Sequence, residues 1–142
     1  MLRLPTWVCS LPYPLGPIDA AYPEPRDRRP NQKVPWPHYT DVLDFELELA
    51  VLLAHSGTNL NEEQARNSIF GYTILNDISA RDIQKKEMAV RLGPAKGKDF
   101  CSVIGPVIVT ADEFNFKEPN LKMQAFINDE KWSEGQSGDS HY

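Results

Sequence analysis

Strands and short helices follow one another along most of this sequence, so the class it predicts mixes the two. Three observations predict it. Asp44–Leu49 alternates acidic and apolar residues with a period of two, the pattern of a strand with one wet face. Asn61–Arg66 and the stretch from about Ser79 to Ala89 both begin on polar residues suited to capping and read as short helices. Nine of the twelve prolines fall between Pro5 and Pro37, which excludes regular helix or central strand from that stretch.

In order, residues 1–40 read as an irregular, proline-rich arm. Its apolar residues Leu4, Trp7, Val8, Leu11 and Tyr13 fit a short strand along the body, packing on a partner, or a loose terminus, and composition does not choose. Residues 41–142 form the regular body. After the 44–49 alternation, Ala50–Leu53 is apolar on both faces, as in a more buried strand end. His55–Asn59 is a loop. Phe70–Leu75 is rich in β-branched and aromatic residues and reads as a strand, and Asn76-Asp77-Ile78-Ser79 then offers caps for the helix that follows. Leu92–Lys98 is a loop bearing glycine and lysine. Val103–Thr110 is a strand broken by Gly105-Pro106, hence bent or near an edge. Leu121–Ile127 alternates again, and Asn128-Asp129 suits a turn into Lys131-Trp132.

The 142 residues suffice for one domain with a real core. Hydrophobic residues at 41% and charged residues at 25% are an ordinary globular balance and exclude global disorder. No apolar run approaches 18 residues, which excludes a membrane helix, and the N-terminus lacks a signal-peptide core. Cys9 and Cys101 build neither a disulfide framework nor a zinc pattern, so a reducing, cytoplasmic compartment is expected. The net charge of −5, with no basic cluster beyond 26–29, argues against nucleic acid as a partner. The first 40 residues carry five basic and three acidic residues, leaving 10 basic and 17 acidic in 41–142, a body of net −7. That balance is compatible with a hard cation and equally with a plain soluble surface.

Four patterns carry candidate chemistry. In a strand, Asp44, Glu46 and Glu48 share one face, opposite Phe45, Leu47 and Leu49. Crowded carboxylates are neutralised by a divalent cation such as Mg²⁺, Mn²⁺ or Ca²⁺, or they line the wet face of a half-buried strand. Asp77 lies where a strand hands over to a helix, a usual place for ligand groups, and reads as a third oxygen ligand or an ordinary cap. In Lys96-Gly97-Lys98 the glycine allows close backbone approach and the lysines supply point charge, but the spacing is not that of a P-loop, and a solvated turn reads as well. Arg81 and Gln84 stand about one helical turn apart and either line a site or lie on a helix surface. His38, His55 and His141 are scattered, and no serine sits in a nucleophile elbow, so zinc and triad chemistry are not supported.

Together, Asp44–Val51, Gly71–Gln84, Gly93–Phe100 and Ile104–Thr110 resemble, in order and spacing, the fumarylacetoacetate hydrolase family over about residues 40–138. The resemblance implies an α+β fold, a mixed β-roll or sandwich with a few short helices, and a homodimer. It implies a divalent cation, commonly Mg²⁺, held by Glu46, Glu48 and Asp77. Lys98 matches the family's site lysine, facing cation and substrate as the catalytic residue. Gln84 and Ser102 fall where substrate-contacting residues lie, although the loop before Lys98 is one residue longer here. The implied substrate is a small β-dicarbonyl or 2-oxo acid of the acylpyruvate, oxaloacetate or fumarylacetoacetate type, which is hydrolysed, decarboxylated or tautomerised. The run Arg81–Pro94, with Glu87-Met88 before Leu92-Gly93-Pro94, resembles the bacterial or fungal degradative branch, which implies aromatic degradation without fixing a substrate.

The sequence also departs from that family. Hydrolases of the family activate water with a His–Glu pair, and the histidine upstream of Glu46 here, His38, stands in no matching context. The family pattern continues past Trp132 with a helix, strands and a Gly-Thr segment, so the sequence is expected to be a partial catalytic domain, incomplete at its C-terminus. The alternative is a catalytically inactive, truncated relative that serves as a structural or interaction piece.

Overall fold

The computed structural model describes residues 27–28, 31–34, 36–91 and 93–139, with backbone only at 27–28. Most of the expected arm, including Leu4, Trp7, Val8, Leu11 and Tyr13, lies outside these residues, as do Leu92 and His141. The order of elements is β1 (Asp27–Arg28), β2 (Leu43–Asp44), β3 (Leu47–Leu53), α1 (Glu62–Asn67), β4 (Ile69–Asp77), β5 (Ser79–Ala80), α2 (Arg81–Met88), β6 (Ser102–Ile104), β7 (Val109–Thr110), β8 (Lys122–Ile127) and β9 (Glu130–Gln136). Two 3₁₀ turns, Ala111–Phe114 and Ser137–Asp139, complete it. This mixture of strands and a few short helices is the α+β class expected. No helix among the described residues is long and apolar enough to cross a membrane.

The described chain divides into two units. One contains the residues up to Glu48 together with Leu75–Ile104. Its core is Ile78, Ala80, Phe100 and Cys101, with Val34, Tyr39, Leu43, Ile83 and Val103 packed around them. Ile78, 2% exposed, is among the described residues the largest apolar side chain fully withdrawn from water, a burial worth about 1.5–3 kcal/mol. β2 and β5 form an antiparallel pair that sets Asp44 opposite Ser79. The end of β4 pairs antiparallel with β6, setting Asp77 opposite Ser102, and β6 pairs parallel with β1.

The other unit contains Leu49–Ile74 and the residues from Gly105 onward. α1 buries no side chain and is held by its cap. Asn61 accepts from the Gln64 N–H at 2.9 Å, and Gln64 accepts from the Asn61 N–H at 3.0 Å, a reciprocal capping box. The first half of β4 pairs with β7, and Tyr72 stacks edge-on against Phe114 at 5.5 Å. The break expected at Gly105-Pro106 is real: Gly105 has φ +106°, and strand pairing resumes only at Val109. β8 and β9 form a hairpin whose turn residues Asn128 and Asp129 both have positive φ, the primed geometry that matches strand twist.

Two expectations are corrected. The 44–53 strand is not continuous: Phe45 and Glu46 fall between β2 and β3. The helix expected from Ser79 starts at Arg81, with Ala80 at its cap position and no side-chain cap bond. The polar residues read as caps are engaged elsewhere. Asn76 Oδ1 accepts from the Glu46 N–H, Asp77 accepts from Lys98, and the Ser79 hydroxyl donates to the Asp77 carbonyl. Ser79 instead extends β5, fully buried.

Candidate metal centre

The junction between β2 and β3 meets the end of β4 inside the first unit. The Asp77 N–H donates to the Glu46 carbonyl at 3.2 Å, and the Glu46 N–H donates to Asn76 Oδ1 at 3.1 Å. These two bonds fix Glu46 beside Asp77. Glu48 follows two residues on. The result is a group of three partly buried carboxylates, Glu46, Glu48 and Asp77, whose ligand oxygens lie within 4.8 Å of one another. Asp44, expected on the same face, is not part of this group among the described residues. The interruption at Phe45–Glu46 places it instead against Arg81, whose Nε donates to Asp44 Oδ2 at 2.7 Å.

Two cations flank the group. Lys98 Nζ lies 2.6 Å from Glu46 Oε2 and 2.9 Å from Asp77 Oδ2. Arg81 Nη1 donates to Glu46 Oε1 at 2.6 Å and to Gln84 Oε1 at 3.0 Å. Burial by itself would raise the Glu46 pKa, but hydrogen bonds and charge from Lys98 and Arg81 overcome it and hold Glu46 at about 2. Glu48 goes the other way. Burial raises it first, and then Glu46 at hydrogen-bond distance and the Asp77 charge raise it further, with Lys98 opposing weakly. Burial lowers the Lys98 pKa, yet the two carboxylates outweigh that and raise it, so its amine is a firm ammonium.

Lys98 is held by its loop. The Gly97 carbonyl accepts from the Ala80 N–H at 2.8 Å, and a Cβ on Gly97 would sit 2.9 Å from the Gln84 backbone nitrogen. Only glycine lets the loop close so tightly on α2. The Tyr39 hydroxyl donates to the Lys96 carbonyl at 3.0 Å, and Lys96 Nζ rests over the Tyr39 ring at 4.3 Å. Ser102 stands directly across from Asp77 in the β4–β6 ladder, so the two side chains share a face.

The sequence-predicted residues Glu46, Glu48, Asp77 and Lys98 are thus gathered at one place, Gln84 is joined to them through Arg81, and Ser102 is adjacent by register. Arg81 was legible only as one of two residues a turn apart; it ties Asp44, Glu46 and Gln84 together. One signal marked it. A cation in the first turn of a helix opposes the helix dipole, and such a residue needs a partner from elsewhere in the fold. The carboxylate set suits a hard divalent cation: all donors are oxygen, and Glu48, whose surroundings resist its charge, is relieved by a positive ion.

Residues 18–142 match the family described as fumarylacetoacetate (FAA) hydrolase, C-terminal. The chain belongs to that family. Within the fumarylacetoacetate hydrolase family it is similar to the oxaloacetate tautomerase YisK of Bacillus subtilis (strain 168), 41% identical over 101 residues, 70% of this chain and 32% of that protein. It is also similar to the fumarylacetoacetase of Dictyostelium discoideum, 49% identical over 75 residues, 50% of this chain and 17% of that one. The chain therefore spans about a third or less of these curated relatives. The fold is shared with fumarylpyruvate hydrolase from Pseudomonas aeruginosa in complex with Mn²⁺ and pyruvate, at TM-score 0.69 and 20% identity, covering 78% of this chain and 49% of that one.

Proposed function

We propose that this chain supplies the cation-holding residues of an enzyme site acting on a small β-dicarbonyl or 2-oxo acid of the oxaloacetate, acylpyruvate or fumarylacetoacetate type, by tautomerisation or by cleavage. The observation that carries this reading is the carboxylate group of Glu46, Glu48 and Asp77 with the Lys98 ammonium set against it. Similarity to an oxaloacetate tautomerase supports the substrate class, and a relative of the same fold crystallised with Mn²⁺ and pyruvate supports the pairing of cation and oxo acid.

Glu46, Glu48 and Asp77 would hold the cation. Such an ion, when bound, supplies Lewis-acid polarisation of an oxo acid's carbonyl. The remaining chemistry belongs to the side chains. Removing a proton from the carbon between two carbonyls, or breaking the bond beside it, leaves an electron pair that delocalises onto oxygen. Lys98 is a fixed positive charge at the edge of the group, suited to stabilise that oxygen. Its raised pKa makes it a proton holder rather than a base. Gln84 is oriented by Arg81, and Ser102 lies beside Asp77; these two are read as the groups that orient the substrate.

The test is turnover of enol-oxaloacetate and of acetylpyruvate, followed by ultraviolet absorbance, on protein stripped by a chelator and then reloaded with Mg²⁺ or Mn²⁺. Activity that returns with the cation and is absent in Asp77→Asn supports the reading. Turnover indifferent to the chelator overturns it.

A further inference from the structure

α2 carries an acid in the wrong place. The last turn of a helix favours cations, and Lys85 and Lys86 conform, but Glu87 sits beside them next to the helix end. Its side chain is engaged elsewhere. Glu87 Oε1 accepts from the Lys96 N–H at 2.8 Å, and Glu87 Oε2 accepts from the Gly97 N–H at 2.9 Å. Both oxygens of one carboxylate are therefore spent on two successive backbone donors, and the next residue is Lys98.

The buried Gly97 is pinned from three directions: Glu87 on its N–H, the Ala80 N–H on its carbonyl, and the Gln84 backbone against its Cα. The last two contacts set how far the loop stands from α2. The Glu87 fork sets its rotation from the N–H side, because two donors on one planar carboxylate fix the peptide plane between them, while the exposed Tyr39 hydroxyl bond to the Lys96 carbonyl holds only the opposite edge of that plane. Turning that plane would swing the Lys98 side chain away from Glu46 and Asp77, where its Nζ lies 2.6 Å and 2.9 Å from their oxygens.

We infer that Glu87 is a positioning residue: its two hydrogen bonds to the Lys96–Gly97 backbone hold the Lys98 ammonium in register with Glu46 and Asp77. It touches neither the carboxylate group nor the proposed substrate and acts through Lys98 alone. The inference rests on the reading of Lys98 as the charge that faces substrate.

Glu87→Gln is the probe. A glutamine oxygen still accepts one N–H, but its amide group confronts the other donor with a donor. The experiment has two arms. In the first, lysine acetylation by acetic anhydride is read residue by residue by mass spectrometry on the whole chain, with Lys85 and Lys86 as internal references. Lys98, little exposed and with its Nζ lodged between Glu46 and Asp77, is expected to label slowly in the wild type and several-fold faster in Glu87→Gln. In the second, kcat for oxaloacetate is expected to fall by roughly tenfold to a hundredfold, the scale of a misplaced catalytic group, with KM little changed. In a Lys98→Met background, Glu87→Gln is expected to change kcat no further. Unchanged Lys98 labelling, or equal losses with and without Lys98, overturns the inference. If Glu87→Gln does not keep its circular dichroism spectrum, Glu87→Asp, too short to span both donors, takes its place; loss of fold in both variants makes Glu87 merely structural and also overturns it. If the wild-type chain has no turnover, the proposed function fails, and the labelling arm alone decides this inference.

Discussion

Among the described residues, two glutamates are held at a pKa of about 2, and their surroundings could hardly differ more. Glu134, on β9 of the hairpin, takes Lys131 at 2.6 Å, Gln124 at 2.6 Å and Lys122 at 3.0 Å, all in the open. Glu46 takes Lys98 and Arg81 at 2.6 Å each, inside the first unit, where the Lys98 side chain is only 16% exposed. At Glu134 the attraction is screened by water and salt and opposed by side-chain entropy. At Glu46 burial opposes the charge, and partners must overcome it. The hairpin network serves local shape. The carboxylate group keeps Glu48 crowded by like charge, a strain that proteins tolerate where function needs it.

Substitutions in the two networks should therefore separate widely. The largest effect is expected from Lys98→Met, which removes the charge that the proposed function sets against the substrate and on that reading should lower turnover on the order of 10²–10³-fold. Steady-state assays of oxaloacetate tautomerisation and acetylpyruvate cleavage check it. Next comes cation linkage. A cation that binds only the folded chain should raise its stability by about 2.7 kcal/mol at a hundred times Kd. Glu46→Gln or Asp77→Asn should abolish this rise, whereas Lys131→Gln in the hairpin should leave it intact; urea denaturation with chelator and with Mn²⁺ makes the comparison.

A smaller effect, of opposite sign, is expected at Glu48. With chelator present, Glu48→Gln removes a crowded charge and should stabilise the chain by up to about 1 kcal/mol, while weakening the rise with Mn²⁺. A Glu48→Gln variant less stable than wild type in chelator would sink the crowding argument. The smallest effect belongs to Glu134→Gln, expected to be indistinguishable from wild type at neutral pH in physiological salt. Its folded pKa is depressed, so whatever it contributes is present above the ordinary 4.5 and disappears as pH falls toward about 2. That dependence should be visible at low ionic strength in the wild type, absent in Glu134→Gln, and erased by added salt.

Much of the fold was legible because its local signals agree with its tertiary role. The polar start of the helix at Asn61, the Asn128-Asp129 turn and the Gly105-Pro106 break each depend on chemistry within a few residues, and each stands where the sequence predicts it; that Asn61 and Gln64 cap one another reciprocally is added by the structure. Ser79 was misread because its capping value is also local, while the backbone of Asp44 offered a stronger claim from 35 residues away through the β2–β5 pair. Period two correctly set Glu46 and Glu48 together but also recruited Asp44, which belongs to Arg81. Periodicity assumes an unbroken strand, and Phe45–Glu46 interrupts it.

Local spacing was enough for the mixed class, the turns, the polar start of α1, and a set of oxygen-bearing side chains able to hold a hard cation. Those properties follow from spacing and from side-chain chemistry within a few residues. Only the three-dimensional fold brings Asp77 to Glu46 and Glu48, lets Arg81 clamp two of the acids, and carries the Glu87 side chain onto the Lys96–Gly97 backbone. Each joins residues 9 to 37 positions apart, and such pairings are set by how strands register and how a loop closes on a helix. In α2, residues whose charges oppose the dipole mark the places where the fold, rather than the helix, made the choice.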